Sequence, residues 1–216
     1  TSFRLAVMAV LPGLINTIGI TESNDLLGLI NDLCDDKNWR VRHAAMKLLP
    51  KVADGLAMFK SIFERDDEAK HKWLTYRSTD NCALIRTDWV TTVAELGSKF
   101  GVDWLEQTIV PRLEEINAEK NYQSRAVIPL AAVQLGCGGH ITPESLQKLV
   151  ALIIEMCTDR VPNLRLIVAE SLGSILNQSK LDAGYKNGTI KPKLEELGND
   201  SDPDVSEAAT AALKGL

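Results

Sequence analysis

Arginine recurs along this chain at a nearly constant interval, each time with an acidic residue six positions before it. The pairs are Asp36–Arg42, Asp80–Arg86, Glu119–Arg125 and Asp159–Arg165. Asp200 opens a further copy with Ser206 in the arginine slot, and Arg4 closes one whose front is absent. Successive slots lie 38, 44, 39, 40 and 41 residues apart. A period of about 40 in apolar, helix-prone sequence is that of stacked two-helix repeats. Each repeat buries its apolar face only against its neighbours, so the expected product is one elongated stack rather than a closed globule.

Aligning the chain on these slots yields a unit. An apolar segment of helical period comes first. In Leu26, Leu29, Ile30 and Leu33 the spacing i, i+3, i+4, i+7 marks one buried helix face. Pro111 and Pro192 each stand fourteen residues before a slot, where the missing amide should bend the first helix. A polar turn follows, such as Asp35-Asp36-Lys37-Asn38 or Asp159-Arg160-Val161-Pro162-Asn163, rich in capping residues. The second helix then begins around an apolar–arginine pair, Val41-Arg42 or Leu164-Arg165. Pro12 and Pro50 both fall eight residues after their slots, in the same register. The repeats predicted are a half repeat at 1–20 and full ones at about 21–58, 59–102, 103–139, 140–180 and 181–216. The longest step contains a charged stretch, Lys60–Lys72, expected as an enlarged surface turn. The fold class expected is all-α, a right-handed α-α superhelix.

The acid of each pair can cap the second helix, and the arginine fork can reach an acid of its own repeat or of the next. Recurrence in register predicts a ladder between layers. Isolated solvent-facing pairs would be worth less than about 1 kcal/mol each.

A net charge of −5 without a basic run argues against a nucleic-acid surface. Cys34, Cys82, Cys137 and Cys157 are scattered without a C-x-x-C pair, which predicts buried free thiols in a reducing compartment. No apolar run of membrane-spanning length and no signal peptide is visible. His43, His71 and His140 have no neighbours at metal or triad spacing. Gly136-Cys137-Gly138-Gly139 lacks the context of a phosphate loop and reads as a turn, with Thr142 as the next N-cap and Pro143 in the first helical position. No catalytic residue, metal or cofactor is expected, and the chain reads as non-enzymatic. Its opening at Thr1, midway through a repeat, reads as a piece of something longer.

Four blocks carry a resemblance. They are Asp36-Lys37-Asn38-Trp39-Arg40-Val41-Arg42; Phe100-Gly101-Val102-Asp103-Trp104 leading to Thr108-Ile109-Val110-Pro111; Asn121-Tyr122; and Asn163-Leu164-Arg165 with Val168-Ala169-Glu170-Ser171-Leu172. In this order they resemble the C-terminal HEAT repeats of the scaffolding A subunits of protein phosphatase 2A. The resemblance implies a solenoid whose turns within repeats line a ridge that holds the phosphatase catalytic subunit. Regulatory B-type subunits would bind mostly through upstream repeats. It implies partner-binding positions at Trp39 and Arg40, then Asp80, Asn81 and Ala83, then Asn121, Tyr122 and Arg125, then Val161, Pro162 and Asn163, and lastly Asp202 to Asp204. It also implies a cytoplasmic location, with the nucleus open. The chain departs from the family at Ala83, where an aromatic is usual, at Arg160-Val161-Pro162, where Asp-Pro-Val is usual, and at Ser206.

Trp39 is the sharpest of these candidates, because a tryptophan in a polar turn followed by arginine is hot-spot chemistry. The alternative is that it folds back on the core. Trp89 and Trp104 stand in helical text and are expected inside. A tubulin-binding HEAT array or another HEAT adaptor is the competing function, since such modules also use the turns within repeats.

Overall fold

A computed structural model describes residues 2–18, 24–53 and 72–215. The stretch expected as an enlarged turn, Lys60–Lys72, lies almost wholly outside them, as does His71. The chain divides into two compact units, Thr1–Phe100 and Gly101–Leu216.

The first unit contains α1 (Ser2–Ile18), α2 (Asn24–Cys34), α3 (Trp39–Ala53), a π-helical turn at Lys72–Tyr76 and α4 (Ala83–Phe100). Helix α3 packs on α1, α2 and α4, so α1, α3 and α4 form one layer. The core is aliphatic with tryptophan: Ile15, Ile30, Met46, Leu49, Ile85, Trp89 and Leu96 are fully buried. The Trp89 indole donates to the Leu74 carbonyl at 3.0 Å, so its one polar atom is satisfied inside. Trp73 is buried as well. On α2, Ile30 and Leu33 turn inward as their spacing predicts, but Leu29 faces out, and Cys34 fills the inner face instead.

The second unit repeats the plan. Helix α5 runs through three continuous pieces, Val102–Trp104, the π-helical turn Leu105–Ile109 and Val110–Asn117. Helix α6 has two, Tyr122–Arg125 and Val127–Cys137. Then come α7 (Pro143–Glu155), α8 (Pro162–Gln178), α9 (Ala183–Tyr185, the π-helical turn Lys186–Ile190 and Lys191–Leu197) and α10 (Pro203–Lys214). Helices α6, α8 and α10 stack as one layer, and α5 packs on α7. Trp104 is buried here, as expected.

The prolines act differently from a simple kink. Pro111 and Pro192 each stand just after a π-helical turn, Leu105–Ile109 and Lys186–Ile190. A proline removes one amide and crowds the carbonyl four residues back. Widening the preceding turn by one residue relieves that crowding and keeps the helix continuous. The Gly136–Gly139 segment is a helix stop. His140 N–H bonds the Leu135 carbonyl at 2.8 Å, Gly139 N–H bonds the Gly136 carbonyl at 3.2 Å, and Gly139 adopts φ 71°. That double bond with a left-handed residue is a Schellman cap, which glycine adopts without strain. The Thr142 hydroxyl then caps α7 by accepting from Ser145 N–H, with Pro143 in the first turn.

The thiols differ in environment. Cys34 and Cys157 are buried, and burial pushes their pKa up to about 12 and about 11 respectively. Cys82 and Cys137 are half-buried, which corrects the expectation of uniform burial. In the native chain, Ellman's reagent should therefore label Cys34 and Cys157 only after denaturation, because neither thiolate nor access is present. Mass spectrometry of the labelled peptides reads this directly, and rapid native labelling of Cys34 would contradict the packing described.

Candidate partner-binding turns

The acid–arginine pairs build one recurring device. In the turn before α3, an Asp36 carboxylate oxygen accepts from Asn38 N–H at 2.8 Å. The same bond links Asp80 to Cys82, Asp159 to Val161 and Asp200 to Asp202, at 2.8 to 2.9 Å. The backbone carbonyl of each acid accepts from the arginine six residues on: Arg42 to Asp36, Arg86 to Asp80, Arg125 to Glu119 and Arg165 to Asp159. In Arg42, Arg125 and Arg165 the remainder of the guanidinium reaches the carboxylate of the following repeat. Arg42 grips both oxygens of Asp80 at 2.8 Å, and Arg165 both oxygens of Asp200 at 2.7 Å. Arg125 reaches Asp159 at 2.5 Å, and Arg4 bonds Asp36. Each of these three arginines thus closes its own turn and ties it to the next layer. Bidentate pairing of charged partners is the strong form of this bond. Ser206, in the last slot, bonds the Gly198 carbonyl at 2.6 Å instead.

Asp80 carries more than the others. Arg77, outside the period, donates to it at 2.6 Å and to Asp35 at 2.9 Å. Burial raises the Asp80 pKa, but the Arg42 bond, the Cys82 amide and the charges of Arg42 and Arg77 outweigh it and leave the carboxyl below its usual range. The Arg165 bond, against some desolvation, lowers Asp200 in the same way. A lowered folded pKa stabilises the fold above the unfolded value and is lost as pH falls through the folded one. Unfolding free energy from urea titration should therefore hold steady from pH 8 to 5 and fall below the ordinary aspartate value of 3.8. Arg165→Ala should lower stability at neutral pH by about 1–3 kcal/mol, since it strands the Asp200 carboxylate, whose side chain is 10% exposed, and removes the partner of the Asp159 carbonyl. A thermal melt unchanged by that substitution would make the pair a solvated one.

The residues three and two positions before each slot are exposed in four of the turns, Trp39 and Arg40, Ala83 and Leu84, Pro162 and Asn163, Pro203 and Asp204, and half-buried in the fifth, Tyr122 and Gln123. Trp39 is 38% exposed and opens α3 rather than preceding it. The Arg40 guanidinium lies over its ring, 4.7 Å from the centroid, and the His43 ring stands 6.4 Å away. His43 in turn pairs with Asp88 of α4. Asn38 caps the helix by accepting from Arg40 N–H at 3.0 Å, which fixes the direction in which Trp39 leaves the turn. The result is a flat apolar surface with a rigid donor fork held against it.

The other predicted positions fall into two groups. Asn81, Ala83, Asn121, Pro162, Asn163 and Asp204 are exposed, and Tyr122, Val161 and Asp202 are half-buried. Asn121 and Asp202 also cap α6 and α10. Asp80 and Arg125 differ. The Asp80 carboxylate is buried under two arginines, and the Arg125 guanidinium is held by Asp159 and two carbonyls. Both hold the turns in place rather than present themselves. Beside the turns of the first unit, Leu84 at 43% and Tyr76 at 53% are exposed as well, and the expectations from sequence do not include them. The repeat register could have found Leu84, which takes the place of Arg40. Tyr76 and Asn81 line a polar cleft of about 670 Å³ between the two turns of the first unit, with Asp35, Lys37 and Thr79.

Comparison with known proteins finds partial matches. The chain is 34% identical over 125 residues to the regulatory A subunit of protein phosphatase PP2A from Saccharomyces cerevisiae. The match takes in 53% of this chain and spans 19% of the relative's length. Residues 121–214 also match the family model of the Vacuolar 14 Fab1-binding region. Among solved structures, a chain of the Pds5–Scc1 complex superposes with a TM-score of 0.59 at 13% identity, over 96% of this chain and 33% of that one. An engineered protein from the Northeast Structural Genomics Consortium reaches 0.50 at 17% identity, over 89% of this chain and 81% of that one. The fold is an all-α stack of HEAT-type repeats. Among the described residues no cluster of potential metal ligands occurs, and no helix is long and apolar enough to cross a membrane.

Proposed function

We propose that this chain is part of a non-catalytic scaffold whose turns hold the catalytic subunit of a phosphatase of the protein phosphatase 2A type. It would help to assemble that subunit with regulatory subunits, in the cytoplasm. The observation that carries this reading is the Trp39–Arg40 stack, outermost in a turn whose acid and arginine face inward. A protein whose only task was to be a stable stack would gain nothing from a half-exposed tryptophan there, whereas aromatic and arginine anchors dominate protein interfaces. The likeness to the yeast regulatory A subunit supports the identity of the partner.

A second reading has its own support. Residues 121–214, the turns of Asn121, Val161 and Asp202 included, match the Vacuolar 14 Fab1-binding region. On that reading the second unit alone would act as an adaptor for a Fab1-like partner. Affinity purification of the intact chain, with quantitative mass spectrometry, separates the two. Enrichment of phosphatase catalytic subunit that falls with Trp39→Ala supports the first. Enrichment of a Fab1-like protein that is indifferent to Trp39 and lost on Tyr122→Ala supports the second.

A further inference from the structure

Helices α1 and α3 enclose a groove of about 270 Å³ away from the turns. Its floor is apolar: Leu5 and Pro12 are half-buried, and Met8 and Leu48 are buried. Its rim is basic. Lys47 and Lys51 stand one helical turn apart on α3, both exposed, with His43 a turn before them. Among the described residues no acidic one lines it, and Asp88, which pairs with His43, lies outside. Lys47 and Lys51 have no ion-pair or hydrogen-bond partner among the described residues. In a chain with net charge −5, this is a local reversal of sign.

We propose that this groove is a second docking site, for an acidic amphipathic segment of a partner protein. One large apolar side chain of that segment seats between Met8 and Leu48, and flanking carboxylates meet Lys47 and Lys51. The occupant follows from complementarity. An apolar floor rejects a purely charged ligand, because desolvating charge against Met8 and Leu48 costs more than the lysines return. An all-apolar ligand would leave the two ammonium groups at the rim without counter-charge. A segment with both features satisfies floor and rim together, and the surrounding negative field of the chain disfavours acidic segments elsewhere on its surface. The site does not rest on the phosphatase reading, since it uses none of the turn residues.

The test uses the full chain and a fluorescein-labelled peptide with two leucines flanked by glutamates. A serine-for-leucine version and a lysine-for-glutamate version serve as comparisons. The expected result is saturable binding of the acidic leucine peptide alone, with a shift of the Met8 methyl signal in carbon-13 methionine NMR and none at Met156. Lys47→Glu with Lys51→Glu should weaken that binding about tenfold or more, while Lys148→Glu, an exposed lysine elsewhere, should not. The methyl shift is read on the unaltered chain, so a variant that fails to fold leaves the test intact. Equal binding of the serine peptide, equal loss on Lys148→Glu, an unmoved Met8 signal, or stronger competition by phosphatidylserine vesicles than by unlabelled peptide would each overturn the proposal.

Discussion

Trp39→Ala should weaken binding of the phosphatase catalytic subunit by about 2 kcal/mol or more, roughly thirtyfold, and leave the melting temperature nearly unchanged. The reason lies in where each part of the side chain's surroundings goes. Trp39 is more than a third exposed, its neighbour Arg40 is exposed and His43 is only half-buried, so truncation opens no enclosed cavity. What is lost is a flat apolar anchor and the support of a stacked guanidinium. Arg40→Ala should act in the same direction and more weakly, since the ring would remain. Titration calorimetry with purified catalytic subunit measures both. Undiminished affinity with Trp39→Ala would remove the chief support for the turns as the contact surface.

Trp104→Ala should do the reverse. Its side chain is 4% exposed and stands beside Leu105 and Ile109, which are fully buried in the same helix. Removing an indole from such a site leaves a cavity that packed helices fill only in part, at a cost of about 3–5 kcal/mol. For a unit of this size that is a large share of the stability available. The melting temperature should fall by many degrees, and any loss of binding should follow the fraction unfolded. A stable Trp104→Ala chain that no longer bound the phosphatase would put the interface on the side of the repeats opposite to the turns.

Much of this was legible in the sequence because a stack repeats its errors and its successes alike. The acid–arginine period marks every turn, and the Thr142-Pro143 pair marks a helix start. The arginine's use was open between its own repeat and the next. The structure divides the guanidinium, one nitrogen to the backbone carbonyl of its own turn and the rest to the next carboxylate. Spacing alone could not reveal that, since both acids stand at plausible reach. Arg77 was illegible for a different reason: it lies outside the period and acts only through Asp80 and Asp35. The π-helical turns escaped because a proline reports a missing amide but not how the helix absorbs it. Leu29 escaped because a helical face predicted from few positions is uncertain at its edge, and Cys34 took the inner place. Among the candidate partner-binding positions, Asp80 and Arg125 have polar side chains in polar turns, which sequence cannot distinguish from exposed ones. Only their partners reveal that they are engaged within the chain.

Hydrogen-exchange footprinting of the chain, free and with the phosphatase catalytic subunit, tests the scaffold reading most directly. Protection should appear at the amides around Trp39 and Arg40, Asn81 to Leu84, Asn121 to Gln123, Val161 to Asn163 and Asp202 to Asp204, and should be absent along the middle of α2 and α7. Protection confined to those helices, with the turns exchanging as fast as in the free chain, would contradict it.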